Sequence, residues 1–289
     1  MHIQATRIDD SFAATLSGLD LARSPVTDDD IAATETVIAS YPVLCLRNQP
    51  ISDQQQKSFM RCFGPLLVNE YPELGGKSDR SEHLIDVASI DEQGEKFDAN
   101  TARGMMQLAN LMWHTDGSQT QPPLRLTALS AKRLPAVPPP TLFADMRAAW
   151  AALSPERQQM LEGMMVEHSI FASRAKIGMR EEQFSETMRR NNPPVVHPLV
   201  RTHPRTGQKS LYLASHASRI VGWPVDAGRA LLQELTEFAT QPQFQYRHRW
   251  QPHDLLIWDN SRTMHRAVAY DGAEPRVLRW SGVFELENV

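Results

Sequence analysis

Cysteine is scarce in this 289-residue chain, which has only Cys45 and Cys62. Both lie in apolar surroundings, VLCLR and FMRCFG, and are read as buried thiols. That argues against a disulfide-stapled secreted fold and makes a reducing cytoplasm the expected compartment. Long hydrophobic runs are also missing. No window approaches the ~18 consecutive apolar residues that span a bilayer. The N-terminal MHIQATRIDDSF has no basic segment leading into an apolar one, so neither a membrane partner nor a secretory signal is expected. Charge of one sign is lacking too. Thirty basic and 34 acidic residues leave a net charge of −4, and the longest like-charged run is Asp28-Asp29-Asp30. This excludes an electrostatic nucleic-acid partner.

What is present suits a globular core. Apolar residues make up 41% of the chain, with six tryptophans and ten phenylalanines among them. The length favours one domain over residues 1–289. Thr27 can cap a helix running to about Ser40, with three aspartates in the first turn where the helix dipole favours anions. Ser52 and Gln55 form a capping box for a second helix over 53–63, with Gly64 expected just past its end. Ser154-Pro155 opens a third helix, and 226–239 carries Leu231, Leu235 and Phe238 at helical spacing.

The remaining pattern is mostly strand. Apolar runs occur at 42–48, 125–132, 141–146, 210–215, 244–250, 254–260 and 276–286. Residues 66–112 lack clear periodicity and read as an irregular segment, an active-site loop or lid. Strands dominate the second half with helices at the periphery, so a β-sandwich or jelly roll is expected.

The chemistry centres on LMWHTDGSQTQPP, residues 111–123. In an extended segment His114 and Asp116 point the same way and can reach one point, while Thr115 faces away. A lone His-x-Asp is common in polar turns, so a third ligand must come from elsewhere. His265, after the apolar run LLIWDN, is the candidate. Two histidines and a carboxylate on one face leave adjacent positions open on iron(II).

These segments, with FAATLSGLDL, FMRCFGPL, SAKRLP, TLFADMRAAWAALS, HPLVRTHPRTGQKSLYLASHAS and YRHRW, resemble the taurine/2,4-dichlorophenoxyacetate dioxygenase family over nearly the whole chain. The later segments look closest to its aryloxyalkanoate branch. The resemblance implies a double-stranded β-helix (jelly-roll) core and dependence on iron(II), 2-oxoglutarate and O2. It also implies a small organic acid as substrate, hydroxylated at a C–H bond as 2-oxoglutarate becomes succinate and CO2. If that carbon carries an ether oxygen, the product collapses to a phenol and an oxo acid. His114, Asp116 and His265 match the family's iron ligands. The arginine that fixes 2-oxoglutarate lies eleven residues after the second histidine, here Arg276. The assisting threonine lies 25 residues after the aspartate, here Thr141. An arginine fork suits a carboxylate because it donates two parallel hydrogen bonds.

The match departs from the taurine branch at one position. Fifteen residues after the second histidine, where that branch grips its substrate's acid, stands Trp280. Strand alternation places Trp280 beside Arg276 in the site and turns Arg279 away. Either another cation then holds an acidic substrate, with Lys77, Arg80 and Arg103 of the irregular segment as candidates, or the substrate presents a ring or apolar group to the indole. Asn110, Tyr71, His216 and Gly117 are further expected substrate contacts, with Gly117 read as enlarging the pocket. His203 is expected to be structural. The same chemistry on a sulfonate or an N-acyl amino acid is an alternative, and other classes are a zinc hydrolase or a non-catalytic jelly-roll binding protein. A homo-oligomer is the expected assembly.

Overall fold

The computed structural model describes residues 3–68, 82–90, 95, 97, 102–270 and 274–286. The first part runs β1 (Gln4–Arg7), β2 (Ala13–Ser17), α1 (Asp28–Ser40), β3 (Val43–Leu46), α2 (Asp53–Arg61), β4 (Ile85–Ala88) and α3 (Ala102–Asn110). Then follow β5 (Leu124–Arg133), β6 (Thr141–Asp145), α4 (Met146–Ala151), α5 (Pro155–Leu161), β7 (Met165–His168), α6 (Ile170–Ala175) and α7 (Glu186–Asn191). The last part comprises β8 (Val195–Pro198), β9 (Val200–Thr202), β10 (Lys209–Leu211), β11 (Ala217–Ile220) and α8 (Val225–Ala239). It closes with β12 (Gln245–His248), β13 (Leu255–Asp259), β14 (Thr263–Ala267) and β15 (Val277–Phe284).

Seven strands form the larger sheet in the order β1-β2-β3-β13-β5-β15-β4, antiparallel except for the β2–β3 pair. Opposite it lies the sheet β12-β6-β14, with β11-β7-β8 and β10-β9 as smaller sheets. Phe143 and Tyr246 of the opposing sheet pack against Val43, Cys45, Leu256, Trp258 and Leu278 of the larger one. This is the interior of a jelly roll.

Both faces of β3 and β13 are buried, which explains their unbroken apolar runs. Cys45, Leu256 and Trp258 face the interior. Leu44, Leu46, Leu255 and Ile257 face outward, under Ile38 of α1 and Phe59 and Met60 of α2. Each such side chain contributes roughly 1.5–3 kcal/mol by leaving water. The expected cap at Thr27 and capping box of Ser52 with Gln55 both form, and Asp30 makes the Thr27 cap a capping box as well.

Several local expectations change. The segment 66–112 contains β4, hydrogen-bonded to β15, and the helix α3. The run at 141–146 ends in a helix, α4, because the Asp145 carboxylate accepts the amides of Arg147 and Ala148. Gly64 is not the helix cap; a Cβ there would lie 2.6 Å from the Phe284 carbonyl oxygen, so this glycine lets α2's exit pass close to β15. Both cysteines are free, but Cys62 is exposed. It caps the C-terminus of α2, beyond the apolar face formed by Phe59 and Phe63, and its thiol reaches the Ser58 carbonyl.

Candidate active site

His114 and His265 are 151 residues apart in the chain but form an isolated antiparallel bridge. Each backbone amide donates to the other's carbonyl, at 3.0 and 2.8 Å. This bridge joins the loop after α3 to β14 and sets the two imidazoles side by side, with centroids 4.1 Å apart. Thr115 turns the other way and donates to the carbonyls of Leu213 and Thr263, pinning the loop between its two site residues.

Asp116 completes the cluster. Its Oδ1 is 3.7 Å from His114 Nε2, and its Oδ2 is 3.7 Å from His265 Nε2. Ligands bound to one ion at about 2.1 Å can stand no more than ~4.2 Å apart, so these gaps fit a shared metal ion. His114 Nδ1 lies 2.7 Å from the Met112 carbonyl, which can only accept, so Nδ1 carries the proton and Nε2 is free to ligate. His265 lies between the rings of Phe143 and Trp258. Burial, with help from His114, pushes its pKa down to about 3, against the opposing pull of Asp116. It is therefore a neutral imidazole, the form that binds metals.

Thr141 begins β6, and Arg276 immediately precedes β15. Burial lowers the Arg276 pKa to about 10, which leaves it a cation at neutral pH. Its Nε has no hydrogen-bond partner among the described residues. Trp250 supports both residues: its indole donates to Thr141 Oγ1 at 3.1 Å, and Arg276 lies over its ring at 6.0 Å. Sequence reasoning missed Trp250, whose only signal was its place in YRHRW.

A second cluster of metal-type donors, Cys45, His248 and Asp254, is buried next to Trp250. Asp254 is already engaged by Arg47, His248 and the Gln251 amide. Burial pushes the Cys45 thiol up to about 12, which withholds a thiolate ligand. The network holds the end of β12 in place.

Thr141, Arg276, His114, Asp116 and His265 line one cavity of about 350 Å³. Trp280 does point into it, and its indole donates to Asp116 Oδ2 at 3.2 Å. Arg279 turns outward to Asp53 and Asp86. Asn110, Gly117 and His216 also line the cavity, and His216 is hydrogen-bonded to Ser118 at 3.0 Å. Gly117 does not enlarge the pocket. Its φ is +66°, and a Cβ there would come within 2.3 Å of Leu124, which already fills that space. His203 binds Thr206 and approaches Asp259, as a structural residue would. Tyr71, Lys77, Arg80 and the side chain of Arg103 lie outside the described residues. The lining includes an unforeseen cation, Arg174 of α6, which SRAKIG did not distinguish from a solvated charge.

The profile of the taurine catabolism dioxygenase TauD, TfdA family matches residues 4–280. The chain belongs to that family. It is 38% identical to the alpha-ketoglutarate-dependent 2,4-dichlorophenoxyacetate dioxygenase of Cupriavidus pinatubonensis over 284 residues, covering 96% of each chain. It is 30% identical to the (S)-phenoxypropionate/alpha-ketoglutarate-dioxygenase of Sphingobium herbicidovorans, covering 94% of this chain and 91% of that one. The crystal structure of AAD-2 in complex with Mn(II) and N-oxalylglycine superimposes with a TM-score of 0.89 at 37% identity, covering 99% of this chain and 98% of that one. The enzyme is thus a 2-oxoglutarate-dependent dioxygenase that uses iron(II) and O2, and the zinc-hydrolase and non-catalytic readings give way. Among the described residues no helix is long and apolar enough to cross a membrane.

Proposed function

We propose that this dioxygenase hydroxylates an aryloxyalkanoate at the carbon bearing the ether oxygen. The resulting hemiacetal collapses to a phenol and an oxo acid. His114, Asp116 and His265 hold the iron(II), and Arg276 with Thr141 holds the distal carboxylate of 2-oxoglutarate. When bound, the iron and cosubstrate supply the oxidising power, as O2 converts 2-oxoglutarate to succinate and CO2 and delivers one oxygen atom to the substrate.

The protein's residues orient the reactants and exclude water. Arg276, buried without a counter-ion among the described residues, is a fork for a carboxylate. Thr141, held by Trp250, presents its hydroxyl beside that fork. The observation that carries the substrate class is the make-up of the cavity. Ile85, Leu129, Leu278 and Trp280 supply a wall suited to an aromatic ring, whereas Ser215, His216, Asn192 and Arg174 supply a polar one. The relatives' activities on phenoxy acids point the same way.

The test follows succinate and phenol release from phenoxyacetate, phenoxypropionates, taurine and N-acyl amino acids. Phenol release matched by succinate is expected for the aryloxy acids, and no turnover of any of them defeats this substrate class. Anaerobic addition of iron(II) and 2-oxoglutarate should raise a weak visible charge-transfer band that the His265→Ala variant lacks. A full band in that variant counts against the ligand set.

This reading also places the enzyme in the cytoplasm, in keeping with its two free thiols. It includes a homo-oligomer, supported by exposed Met165, Val196, Val221 and Trp223 on or beside the β11-β7-β8 sheet. A monomeric sedimentation coefficient would remove that part.

A further inference from the structure

We infer that Arg174 holds the acid group of the substrate, replacing an anchor that Trp280 cannot provide. The inference rests on the dioxygenase reading above and names the residue that selects for acids within it.

The first support is a count of charges. Among the described residues lining the cavity there are two permanent cations, Arg276 and Arg174. The two lining carboxylates are already engaged: Asp86 pairs with Arg279, and Asp116 stands between the two imidazoles. Neither arginine therefore has an internal counter-ion there. A reaction that joins a dicarboxylate cosubstrate to a carboxylate substrate needs two such positions. Arg276, beside Thr141, serves the cosubstrate.

The second support is the state of Arg174. Its side chain is 6% exposed, and its Nε has no hydrogen-bond partner among the described residues. Among the described residues its Nη1 reaches only the Ser173 hydroxyl, at a long 3.4 Å. A buried guanidinium without a carboxylate is costly, and the cost is removed when an anion enters. Burial has lowered its pKa only to about 10, so it remains charged at working pH.

The third support is the surrounding scaffold. Lys176, on the same turn of chain, donates to the Ser215 carbonyl at 2.6 Å, and the hydroxyls of Ser173 and Ser215 are 3.0 Å apart. These bonds tie α6 to the segment 215–216, so Arg174, Ser215 and His216 meet the cavity as one polar wall. Trp280 cannot substitute, because its single donor is spent on Asp116. The acid end of a substrate then lies at α6 and its ring against the wall of the larger sheet.

The test compares phenoxyacetate with neutral phenoxyacetamide in the iron-loaded enzyme and in Arg174→Gln and Arg174→Lys. In Arg174→Gln the KM for the acid should rise roughly 30- to 100-fold, the loss expected for a buried charge-assisted hydrogen bond. The KM for the amide should change little, so that discrimination between the two collapses. Arg174→Lys should recover part of the acid's KM. The affinity for 2-oxoglutarate, read anaerobically from the charge-transfer band, should stay within about twofold, since a charge-assisted bond lost there would cost far more.

An unchanged acid KM in Arg174→Gln overturns the inference and leaves the dioxygenase reading intact. Equal weakening of acid and amide, or a fall in 2-oxoglutarate affinity instead, also overturns it. Should Arg174→Gln fail to fold, Arg174→Lys carries the comparison, and a wild-type KM for the acid in that variant together with no preference of the wild type for acid over amide decides against it. If wild type turns over no aryloxy acid, the substrate reading fails first. The same variants are then compared on whichever acid the panel identifies.

Discussion

At the scale of single residues, the candidate metal site depends on atoms that are free because their neighbours are not. His114 Nε2 is free because Nδ1 is committed to Met112, and Asp116 is oriented by the Trp280 indole, which donates to its Oδ2. Gly282 makes that indole's position possible, since a Cβ there would fall 2.6 Å from the ring. Trp280→Phe keeps the apolar surface but removes the donor. It should weaken iron(II) binding roughly 10- to 100-fold, the usual effect of losing a hydrogen bond to a metal ligand. Titration with iron(II) under anaerobic conditions measures this, and wild-type affinity would show that the bond is idle. Trp250 plays the matching part in the proposed cosubstrate site, where it contacts Thr141 and Arg276. Trp250→Phe retains a ring beneath Arg276 but frees the Thr141 hydroxyl, so the 2-oxoglutarate dissociation constant should rise roughly 3- to 10-fold.

At the scale of elements, the site is a loop held between a strand and a helix, and its glycine is there for backbone geometry and packing. Gly117 and Gly207 have nearly the same φ, +66° and +68°, but only Gly117 has a neighbour in the way. Gly207→Ala should therefore cost only the left-handed backbone penalty of about 1–2 kcal/mol. Gly117→Ala must also displace Leu124 and should cost a further 1–3 kcal/mol or so. Urea unfolding of the two variants compares them directly, and equal losses would mean that Leu124 moves freely. The elements most easily read from sequence were those with local signals, such as the capped starts of α1 and α2 and the apolar runs of β3, β5 and β13. Helices α4 and α6 have six residues each. They are too short for a periodic stripe, and their starts depend on Asp145 and Ser169 acting as caps. Strand β4 is defined by its pairing with β15, and its four partly buried residues are too few to stand out as a strand in the sequence.

For the whole molecule, neutral buried histidines set the acid limit of stability. Burial chiefly lowers the pKa of His168 and of His265 to about 3, against an ordinary 6.5, and holds His216 well below its usual range. Between pH 6.5 and about 3 the unfolded chain binds these protons and the folded chain does not. Stability is therefore fully present above pH 6.5 and is lost as pH falls, by about 1.4 kcal/mol per pH unit for each such group. Melting temperatures of the metal-free protein should fall steadily from pH 6.5 to 5. Substituting Phe for His168, which packs between His197 and Tyr212, should make that decline shallower. A flat profile in wild type would contradict the burial of these rings.

The spacing of His114, Asp116, Thr141, His265 and Arg276 was legible because these residues lie in short turns or in and beside short strands. The chain between such positions tolerates few insertions, so the family pattern could be followed along the sequence. The apolar runs were legible because a strand buried on both faces has no polar positions to spare. Other features had no sequence signal, because they arise only when distant segments meet. Trp250 reaches Thr141 across 109 residues, Trp280 reaches Asp116 across 164, and Arg174 becomes a cavity residue only when α6 is tied to the segment at Ser215. A lone arginine or tryptophan looks the same in a sequence whether water or a buried carboxylate awaits it. Folding settles that difference by removing the water.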